Sequence, residues 1–377
     1  MGRKNIYQTR KEVDFLAKIC YRTTMVRILY GLCGEGLGHA SRSRILIKHL
    51  KKNGHDIRIV AGNKAYRYLS KEFEHVYEIE SARFIYKGGQ ASLFRTILWT
   101  LYRTTVSAPH SFLKIGKIIK EFDPELLITD AEPISHAAAR LSGIKRMSID
   151  NPQALLYRKY KVKLGEYLSW FILFIAIKVS MLGADKYIIY DFSNDQLDDP
   201  HLLFLKPLIQ DGILKQNPTY GNHVFVYQTL NPSSDICKML KNIDETFIIY
   251  GSNKDLVDKN LVFKTFNDNE FYRDIANAKA IITNGGFTVI SEALYLKKPT
   301  YSLPINHQFE QVVNGKFVEQ LGAGVYHKKL SEEKLRNFLD NLDIYRKNLK
   351  MYDPGTQTKT LARIEKEIQA LLPKKTE

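Results

Sequence analysis

The chain has 377 residues, of which 44% are hydrophobic and 25% are charged, and its formal net charge is +16. This composition excludes a disordered or fibrous protein, and the length exceeds what one hydrophobic core usually organises, so two domains are expected. The three cysteines, Cys20, Cys33 and Cys237, have neither CxxC nor metal-ligand spacing, which favours a reducing compartment and a cytoplasmic location.

The positive charge is concentrated in three segments. Residues 1–24, 83–122 and 157–178 have net charges of +4, +6 and +4, which together account for +14 of the +16. Such clusters are typical of proteins that bind a membrane surface or nucleic acid, but they also occur as solvated helix faces. Residues 1–24 lack the apolar run and cleavage site of a signal peptide and are predicted to be a basic N-terminal leader.

Aromatic side chains accompany the basic residues in LFRTILWTLYR and YLSWFILFIAIK. Trp99, Arg103, Trp170 and Phe171 are therefore predicted to contact a membrane interface or an acceptor molecule. The second run is too short to span a bilayer, and a buried core helix flanked by solvated lysines explains it equally well. We expect a cytoplasmic protein, with peripheral attachment to the inner face of the cell membrane as an open alternative.

The first half of the chain alternates short apolar runs with helical patterns. VRILYGLCG (26–34) has the pattern of a buried strand that ends in glycines, and the helical pattern after it stops at Gly54, before a second strand at 56–62. Further strands are predicted at 124–130, 145–150 and 186–192. A strand, glycine loop, helix and strand in this order is typical of a doubly wound parallel sheet.

A second alternating series of strands and helices begins at His223. Its strands are predicted at 223–229, 245–251, 260–266, 280–286 and 299–305. The predicted fold class is α/β, with two doubly wound, Rossmann-like parallel-sheet domains that face each other across a cleft. The predicted boundaries are 25–200 for the first domain, 201–221 for a linker, 222–350 for the second domain and 351–377 for a C-terminal helix that packs back on the first domain.

The first glycine loop, GLCGEGLGHASR, supplies Gly34, Gly36 and Gly38 at alternate positions and then His39 at the start of a helix. This spacing departs from GxGxxG, and the next strand ends without an acidic residue, so a nicotinamide cofactor is not favoured. His39 is a candidate for proton transfer in the cleft, or a helix N-terminal residue without a special role. Asp130 ends a strand and either assists His39, replaces it as the base, or only caps the next helix.

The stretch TNGGFTVISEA has the same layout in the second half. If Gly285 and Gly286 end a strand and Phe287 begins a helix, the free backbone N–H groups form an anion site, to which Thr288 adds a hydroxyl. Glu292 would then lie inside the helix, where its carboxylate could bind the hydroxyls of a ribose. The plainer alternative is that Glu292 is a solvated helix residue.

The residues from Thr283 to Gly324 resemble the C-terminal nucleotide-sugar signature of GT-B glycosyltransferases. They are most similar to glycosyltransferase family 28, the branch that holds the bacterial MurG-type enzymes and their archaeal relatives. The positions that match this signature are Gly285, Gly286, Thr288, Ser291, Glu292, Pro299, Pro304, the HQFEQ run, Asn314, Gly322 and Gly324. GEGLGHASR is similar to the family's first glycine loop at Gly34, Gly36, Gly38 and His39.

This resemblance implies that Glu292 binds the donor ribose and that Gly286 to Thr288 bind the diphosphate. Within HQFEQ the candidates for sugar or ribose contact are Gln308, Glu310 and Gln311. The spacing to Asn314 favours the last two. Two departures from the family leave the base and the sugar open: a glutamine in KPLIQ where many relatives have arginine, and VYQTLNPSS in place of a glycine-rich loop.

The position eight residues before Glu292 is Asn284, whereas retaining GT-B enzymes carry a glutamate there. The resemblance therefore implies an inverting, metal-independent transfer with His39 as base and Asp130 as helper. The co-substrate would be a nucleotide sugar, UDP-linked by expectation, and the acceptor a hydroxyl, with a lipid-linked acceptor suited to the basic and aromatic segments. No cofactor and no nucleic acid are expected. A nucleotide-sugar epimerase of the same fold and a basic nucleic-acid-binding scaffold are the alternatives.

Overall fold

A computed structural model describes residues 25–34, 37–80, 86–87, 90–91, 108–160, 162, 164–193, 195–228, 234–306 and 308–372. The leader at 1–24 and the predictions for Gly36, Trp99 and Arg103 fall outside the described residues.

The first half of the chain forms a seven-stranded sheet and a separate two-stranded antiparallel pair, β4 with β5. The strands are β1 (Arg27–Leu32), β2 (Asp56–Gly62), β3 (Val76–Ile79), β4 (Tyr86–Lys87), β5 (Gln90–Ala91), β6 (Leu126–Asp130), β7 (Lys145–Asp150), β8 (Lys186–Tyr190) and β9 (Leu202–Leu205). The order of the large sheet is β3-β2-β1-β6-β7-β8-β9, and all of its pairings are parallel. Because helices cover both faces, β1 and β6 are almost entirely buried, as is usual in a parallel sheet.

The helices of this half connect the parallel strands. They are α1 (Gly38–Lys52), α2 (Asn63–Leu69), α3 (Ala108–Phe122), α4 (Pro133–Leu141), α5 (Ala154–Tyr157) and α6 (Tyr167–Ser180). Pro133 lies in the first turn of α4, where its lack of a backbone N–H costs no helical hydrogen bond. The Glu132 side chain caps the same helix by accepting hydrogen bonds from the backbone N–H groups of Ile134 and Ser135. The helix after Asp130 is therefore capped by Glu132 and not by Asp130.

The second half forms another seven-stranded sheet in the order β12-β13-β11-β10-β14-β15-β16. Its strands are β10 (His223–Tyr227), β11 (Thr246–Tyr250), β12 (Leu256–Asp258), β13 (Leu261–Lys264), β14 (Ala280–Thr283), β15 (Thr300–Ser302) and β16 (Gly324–Tyr326). Only the edge pairing of β12 with β13 is antiparallel. The two sheets with interleaved helices confirm the predicted pair of Rossmann-like domains.

The helices of the second half lie on both faces of this sheet or continue beyond it. They are α7 (Asp211–Leu214), α8 (Ser234–Leu240), α9 (Asp268–Asn277), α10 (Phe287–Tyr295), α11 (Phe309–Gln320), α12 (Glu332–Asp340), α13 (Leu342–Met351) and α14 (Gln357–Leu371). In α9 the Asn267 side chain accepts a hydrogen bond from the backbone N–H of Glu270, which caps the first turn.

Two contacts join the C-terminal helix α14 to the first sheet. His55 Nε2 lies 2.6 Å from Glu365 Oε1, and Lys186 Nζ lies 2.9 Å from Glu367 Oε2. Strand β9, inside the segment predicted as a linker, pairs with β8 as the edge of the first sheet. Phe192, which follows β8, stacks on Phe287 of α10 with ring centres 4.6 Å apart, so the apolar core continues from one half to the other.

Candidate active site

A buried carboxylate at the end of β6 holds two basic side chains of helix α1. Asp130 Oδ1 lies 2.7 Å from His39 Nδ1. Arg42 donates to both carboxylate oxygens, from Nε to Oδ2 at 2.9 Å and from Nη2 to Oδ1 at 2.6 Å. Ser43 donates to Oδ2 at 3.0 Å. Asp130 therefore accepts hydrogen bonds from several groups of one helix, which orients both the histidine and the arginine.

The register of the first sheet brings these residues together. Leu32 of β1 pairs with Asp130 of β6, and the backbone N–H of Cys33 donates to the Asp130 carbonyl at 3.0 Å. Helix α1 begins at Gly38, so His39 lies in its first turn, next to Asp130 at the carboxyl end of β6. In a parallel sheet these strand ends line the binding crevice.

The charges of this cluster support one another. The Arg42 guanidinium and His39 overcome the burial of Asp130 and hold its pKa well below the usual range for a carboxyl group. Burial opposes the charge on His39, but Cys33 and Asp130 more than offset it, so the pKa of His39 is raised above its ordinary value. The imidazole is 18% exposed, whereas Asp130 is 1% exposed, so the histidine is the member of the pair that a ligand can reach.

Sequence reasoning selected His39 and Asp130 but missed Arg42. Arg42 stands three residues after His39 in GHASR, which is the spacing of neighbours on one helix face. That spacing was the feature of the sequence that could have indicated Arg42. It becomes informative only when Asp130 is known to lie next to the same turn of the helix. Arg42 is only 5% exposed, which for an arginine requires charged or hydrogen-bonding partners.

Asn151 continues this network to the second half of the chain. Arg42 donates from Nη1 to Asn151 Oδ1, and Asn151 donates from Nδ2 to Glu310 Oε1 at 2.7 Å. Asn151 follows β7 of the first sheet, and Glu310 lies in the first turn of α11 after β15 of the second. Side-chain contacts therefore connect His39, through Asp130, Arg42 and Asn151, to one of the residues predicted to bind the donor.

The second glycine pair begins helix α10 with its backbone N–H groups uncapped by any described side chain. Gly285 has φ +87°, a conformation that favours glycine, and an added Cβ would lie 2.7 Å from the Gln311 carbonyl oxygen. At Gly286 an added Cβ would meet open space. Asn314 donates from Nδ2 to the Gly285 carbonyl at 3.0 Å, which fixes the turn. The N-terminus of α10 is thus rigid and open on one side, as an anion site requires.

The two glycine loops meet at the N-termini of their helices. An added Cβ at Gly38 would lie 2.9 Å from Thr288 Oγ1, and one at Gly34 would lie 2.7 Å from the Gly62 carbonyl oxygen. Glycine at 38 therefore allows α1 to approach the first turn of α10. The first turn of α1, which contains His39, therefore lies next to Thr288.

Glu292 is buried one turn further into α10. It is 3% exposed, and burial raises the pKa of its carboxyl group to about 8. No hydrogen bond to its side chain occurs among the residues that the structure describes, and its carboxyl group acts electrostatically on Tyr227 and Tyr272. The prediction that Glu292 could be a solvated helix residue is wrong. A buried carboxyl group without a protein partner is available to hydroxyl groups of a ligand.

The HQFEQ residues have different environments. Glu310 contacts Asn151, whereas Gln311 accepts a hydrogen bond at Oε1 from the backbone N–H of Ile305 at 2.9 Å. Gln308 is the residue before α11 and does not cap it with its side chain. Of the two residues favoured by their spacing to Asn314, Glu310 therefore contacts the first half of the chain, and Gln311 stabilises the loop after β15.

A cavity of about 250 Å³ adjoins the Asn151–Glu310 contact. Aromatic side chains from both halves form its apolar wall, and its charged residues are three cations and three carboxylates, of which Arg158 and Asp191 are paired at 2.6 Å. The aromatic residues are Tyr160, Tyr190, Phe192, Phe287 and Phe317. The cavity is balanced in charge, although two of its cations, Arg158 and Lys159, belong to the basic segment 157–178.

Helix α6 carries an apolar face that is exposed to solvent. The exposed apolar residues on and after it are Tyr167, Leu168, Phe171, Ile175, Val179 and Leu182. Trp170 is instead partly buried against the cluster that contains Leu155 and Phe309. Among the described residues no helix has the length and hydropathy needed to cross a membrane, and no group of three or more His, Cys, Asp or Glu side chains is arranged to hold a metal ion.

The sequence model of the family described as "Glycosyl transferase family 1" matches residues 26–343, which is most of the chain. The chain belongs to glycosyl transferase family 1. As a glycosyltransferase it acts on a sugar donor and an acceptor, and the predicted enzyme class is confirmed.

Curated relatives of this glycosyltransferase carry the same general name. An "uncharacterized glycosyltransferase" of Methanosarcina acetivorans is 25% identical over 327 residues, covering 79% of this chain and 83% of the relative. Another from Methanosarcina mazei is 24% identical over 332 residues, covering 79% and 85%.

Solved glycosyltransferase structures share the fold. The glycosyltransferase of kitacinnamycin superposes with a TM-score of 0.66 at 14% identity, covering 93% of this chain and all of the other. MurG of Acinetobacter baumannii has a TM-score of 0.59 at 13% identity, covering 91% and 99%. The predicted resemblance to GT-B glycosyltransferases, MurG among them, is confirmed, and at these identities it establishes the architecture.

Proposed function

We propose that this glycosyltransferase inverts the anomeric carbon while it moves a sugar from a nucleotide sugar, UDP-linked by expectation, to a hydroxyl acceptor. The observation that carries the proposal is the 2.7 Å contact between His39 Nδ1 and Asp130 Oδ1 beside the N-terminus of α10. A histidine that gives one ring nitrogen to a buried carboxylate keeps the other nitrogen for proton transfer.

The proposed reaction uses neutral His39, a form that its raised pKa moves to higher pH than in an ordinary histidine. Its Nδ1–H donates to Asp130, and Nε2 accepts the proton of the acceptor hydroxyl. The acceptor oxygen forms a bond to the anomeric carbon, and the bond from that carbon to the phosphate oxygen breaks. Its electron pair leaves with the nucleoside diphosphate. Asp130 stabilises the imidazolium that results, and its low pKa keeps it ionised throughout.

The donor side of the site is assigned to the second half of the chain. The backbone N–H groups at the start of α10, with the Thr288 hydroxyl, would hold the charge of the diphosphate. Glu292 would accept hydrogen bonds from the ribose hydroxyls, and the lack of a hydrogen-bond partner for its side chain among the described residues supports this role. Glu310 would bind the sugar, with Gln311 bracing the loop and Gln308 at its edge. The diphosphate charge is met by backbone and hydroxyl donors in this proposal.

The proposed acceptor is attached to a lipid, and the protein binds the membrane through α6. Leu168, Phe171, Ile175 and Val179 are 64%, 46%, 42% and 69% exposed and lie on one side of the helix. Lys178 beside them is exposed too, which suits a surface with anionic lipid. Trp170, packed inward, would hold α6 against the body of the enzyme rather than enter the lipid.

A thermal-shift screen of the whole chain against nucleotide sugars tests the donor, followed by measurement of nucleoside diphosphate release with vesicle-borne hydroxyl acceptors. Glycosyl transfer predicts stabilisation by one nucleotide class and release that depends on the acceptor. Interconversion of the donor sugar without any acceptor would instead identify an epimerase. Binding of nucleic acid with a steep salt dependence, and of no nucleotide sugar, would contradict both enzyme functions.

A further inference from the structure

Two neighbours compete for the same nitrogen of His39. Asp130 Oδ1 lies 2.7 Å from Nδ1, and Arg42 Nη2 also lies 2.7 Å from Nδ1. The carboxylate can only accept a hydrogen bond and the guanidinium can only donate one. If Nδ1 carries the proton, it donates to Asp130 and Nε2 is a free base. If Nδ1 is bare, it accepts from Arg42, and the proton on Nε2 prevents base catalysis.

The position of the Arg42 guanidinium therefore decides which tautomer of neutral His39 is favoured. Nη2 lies 2.6 Å from Asp130 Oδ1 and 2.7 Å from His39 Nδ1, so a small rotation of the whole guanidinium against Asp130 changes which of the two groups it donates to. Asn151 Oδ1 accepts from the other terminal nitrogen, Nη1, and so restrains the guanidinium from the far side.

The chemistry of its neighbours also fixes the orientation of the Asn151 amide. The Arg42 guanidinium has only donors, and Glu310 offers its Oε1 oxygen as an acceptor, so Oδ1 faces Arg42 and Nδ2 faces Glu310. Asn151 is 5% exposed, so water does not readily replace either contact. Glu310 of the second half of the chain accepts a hydrogen bond from this amide and can therefore influence its orientation.

We propose that Asn151 is a positioning residue, which links the donor-side Glu310 to the orientation of Arg42 and thereby selects the Nδ1-protonated tautomer of His39. The inference rests on the proposed function, because it assigns the donor sugar to Glu310 and the proton transfer to His39. A sugar hydroxyl that binds Glu310 would hold the Asn151 amide more firmly and so strengthen this preference when the donor is present.

The test is the ¹⁵N spectrum of the histidine side chains in the full chain, recorded at a pH where His39 is neutral. His39→Gln identifies the His39 signals by difference. In the unmodified protein we expect the Nδ1-protonated form to be the major species. In Asn151→Ala, Arg42 loses the restraint on Nη1 and can rotate toward His39, so the Nε2-protonated form should become the major species. The same Nδ1-protonated form in the variant would overturn the proposal.

Asn151→Asp separates the contact of residue 151 with Arg42 from its contact with Glu310. Ionised aspartate still accepts from Arg42 but has no proton to donate to Glu310, so the Nδ1-protonated form should persist. Its signals should no longer respond to saturating UDP-glucose or UDP-N-acetylglucosamine, whereas those of the unmodified protein should shift with the sugar nucleotide that binds. A response retained in Asn151→Asp would refute the part played by Glu310.

A matched control removes another Asn–Glu hydrogen bond between distant parts of the chain. Asn53 donates from Nδ2 to Glu365 Oε2 at 3.2 Å, far from His39, and Asn53→Ala should leave the tautomer unchanged. In assays with a nucleotide sugar that binds, Asn151→Ala should hydrolyse the donor roughly 10-fold or more slowly than the unmodified protein. The dissociation constant of that nucleotide sugar should stay within about two-fold of the unmodified protein's value. Failure of every nucleotide sugar to bind would defeat the proposed function, whereas the tautomer comparison between variants would still decide the role of Asn151.

Discussion

His39 Nδ1 and Asp130 Oδ1 lie 2.7 Å apart although 91 residues separate them in the chain. The contact leaves Nε2 of the imidazole free for the acceptor hydroxyl. His39→Gln should therefore reduce turnover by roughly 10²- to 10⁴-fold, the usual contribution of a general base. Donor affinity should stay within about two-fold, since the donor is bound mainly by the second half of the chain. Calorimetry with the nucleotide sugar and initial rates of diphosphate release measure the two quantities.

His49→Gln is a suitable control for this substitution. His49 lies on the same helix near its other end, next to Glu365, so its replacement tests whether α1 tolerates a glutamine without loss of activity. If His39→Gln retained full turnover, His39 would not be the base. Asp130→Asn is a poorer test, because it leaves the buried Arg42 guanidinium without its countercharge and endangers the fold.

Glu292 should make donor binding depend on pH. With a pKa of about 8 in the free protein, its carboxyl group is mostly protonated at pH 7. Ribose hydroxyls that donate to the carboxylate favour the ionised form, so binding should release a proton, and affinity should rise with pH up to about 8 by at most 10-fold per unit. Glu292→Gln should weaken binding and remove that part of the pH dependence. Calorimetry in buffers of different ionisation enthalpy counts the protons.

The same substitution has a separate effect on folding. The pKa of Glu292 is about 8 in the folded protein, above its ordinary value of 4.5. The fold therefore favours the protonated carboxyl group, whose contribution to stability is complete below pH 4.5 and is lost as the pH rises to about 8. The free energy of unfolding of Glu292→Gln, relative to the unmodified protein, should therefore increase by up to about 1.4 kcal/mol per pH unit in that window. Denaturant titrations at pH 5, 7 and 9 measure it. A difference that does not change with pH would show that Glu292 is ionised in the fold.

Gly285 and Gly286 should respond differently to the same substitution. Gly285→Ala puts a side chain at φ +87° and 2.7 Å from the Gln311 carbonyl oxygen, so it should reduce the free energy of unfolding by about 2 kcal/mol or more. Gly286 has φ −62° and open space at its Cβ, so Gly286→Ala should cost less than about 1 kcal/mol. Chemical denaturation of both variants provides the comparison.

Donor binding by Gly286→Ala then tests the anion site itself. Its added methyl group would occupy the space beside the N-terminus of α10, where the diphosphate is proposed to bind. Affinity for the nucleotide sugar should fall at least about 10-fold while the fold persists. Unchanged affinity in a folded Gly286→Ala protein would exclude the diphosphate from this helix end.

Local patterns in the sequence were sufficient to predict the two parallel sheets and the two glycine loops, because each strand is a short apolar run followed by turn residues. They also indicated His39 and Glu292, which stand at fixed distances from glycines. Arg42 and Asn151 could not be found in this way. Their roles depend on which strand ends lie side by side and on contact between the two halves of the chain.

Short elements escaped prediction for a related reason. Strand β9 (Leu202–Leu205) joins the first sheet although prolines flank it at 200 and 207, and the periodicity of so short a run does not distinguish a strand from a linker. The edge strand β12 is only three residues long and is formed by pairing with β13. The burial of Glu292 likewise follows from the packing of α10 between the two halves, which the helix's own sequence does not specify.

The exposed face of α6 makes the membrane part of the proposal testable apart from catalysis. Phe171 and Val179 are 46% and 69% exposed, and burying their side chains in a lipid interface is worth roughly 1.5–3 kcal/mol each when complete. Phe171→Ser with Val179→Ser should therefore weaken binding to vesicles containing anionic lipid by at least about 10-fold, measured by co-sedimentation at low salt. Val257, also 69% exposed but on the edge strand β12, is the matched control, since Val257→Ser should leave vesicle binding unchanged. Equal vesicle binding by the α6 variant and the control would show that α6 does not contact the membrane. In either case, the donor affinity of the folded α6 variant should match that of the unmodified enzyme.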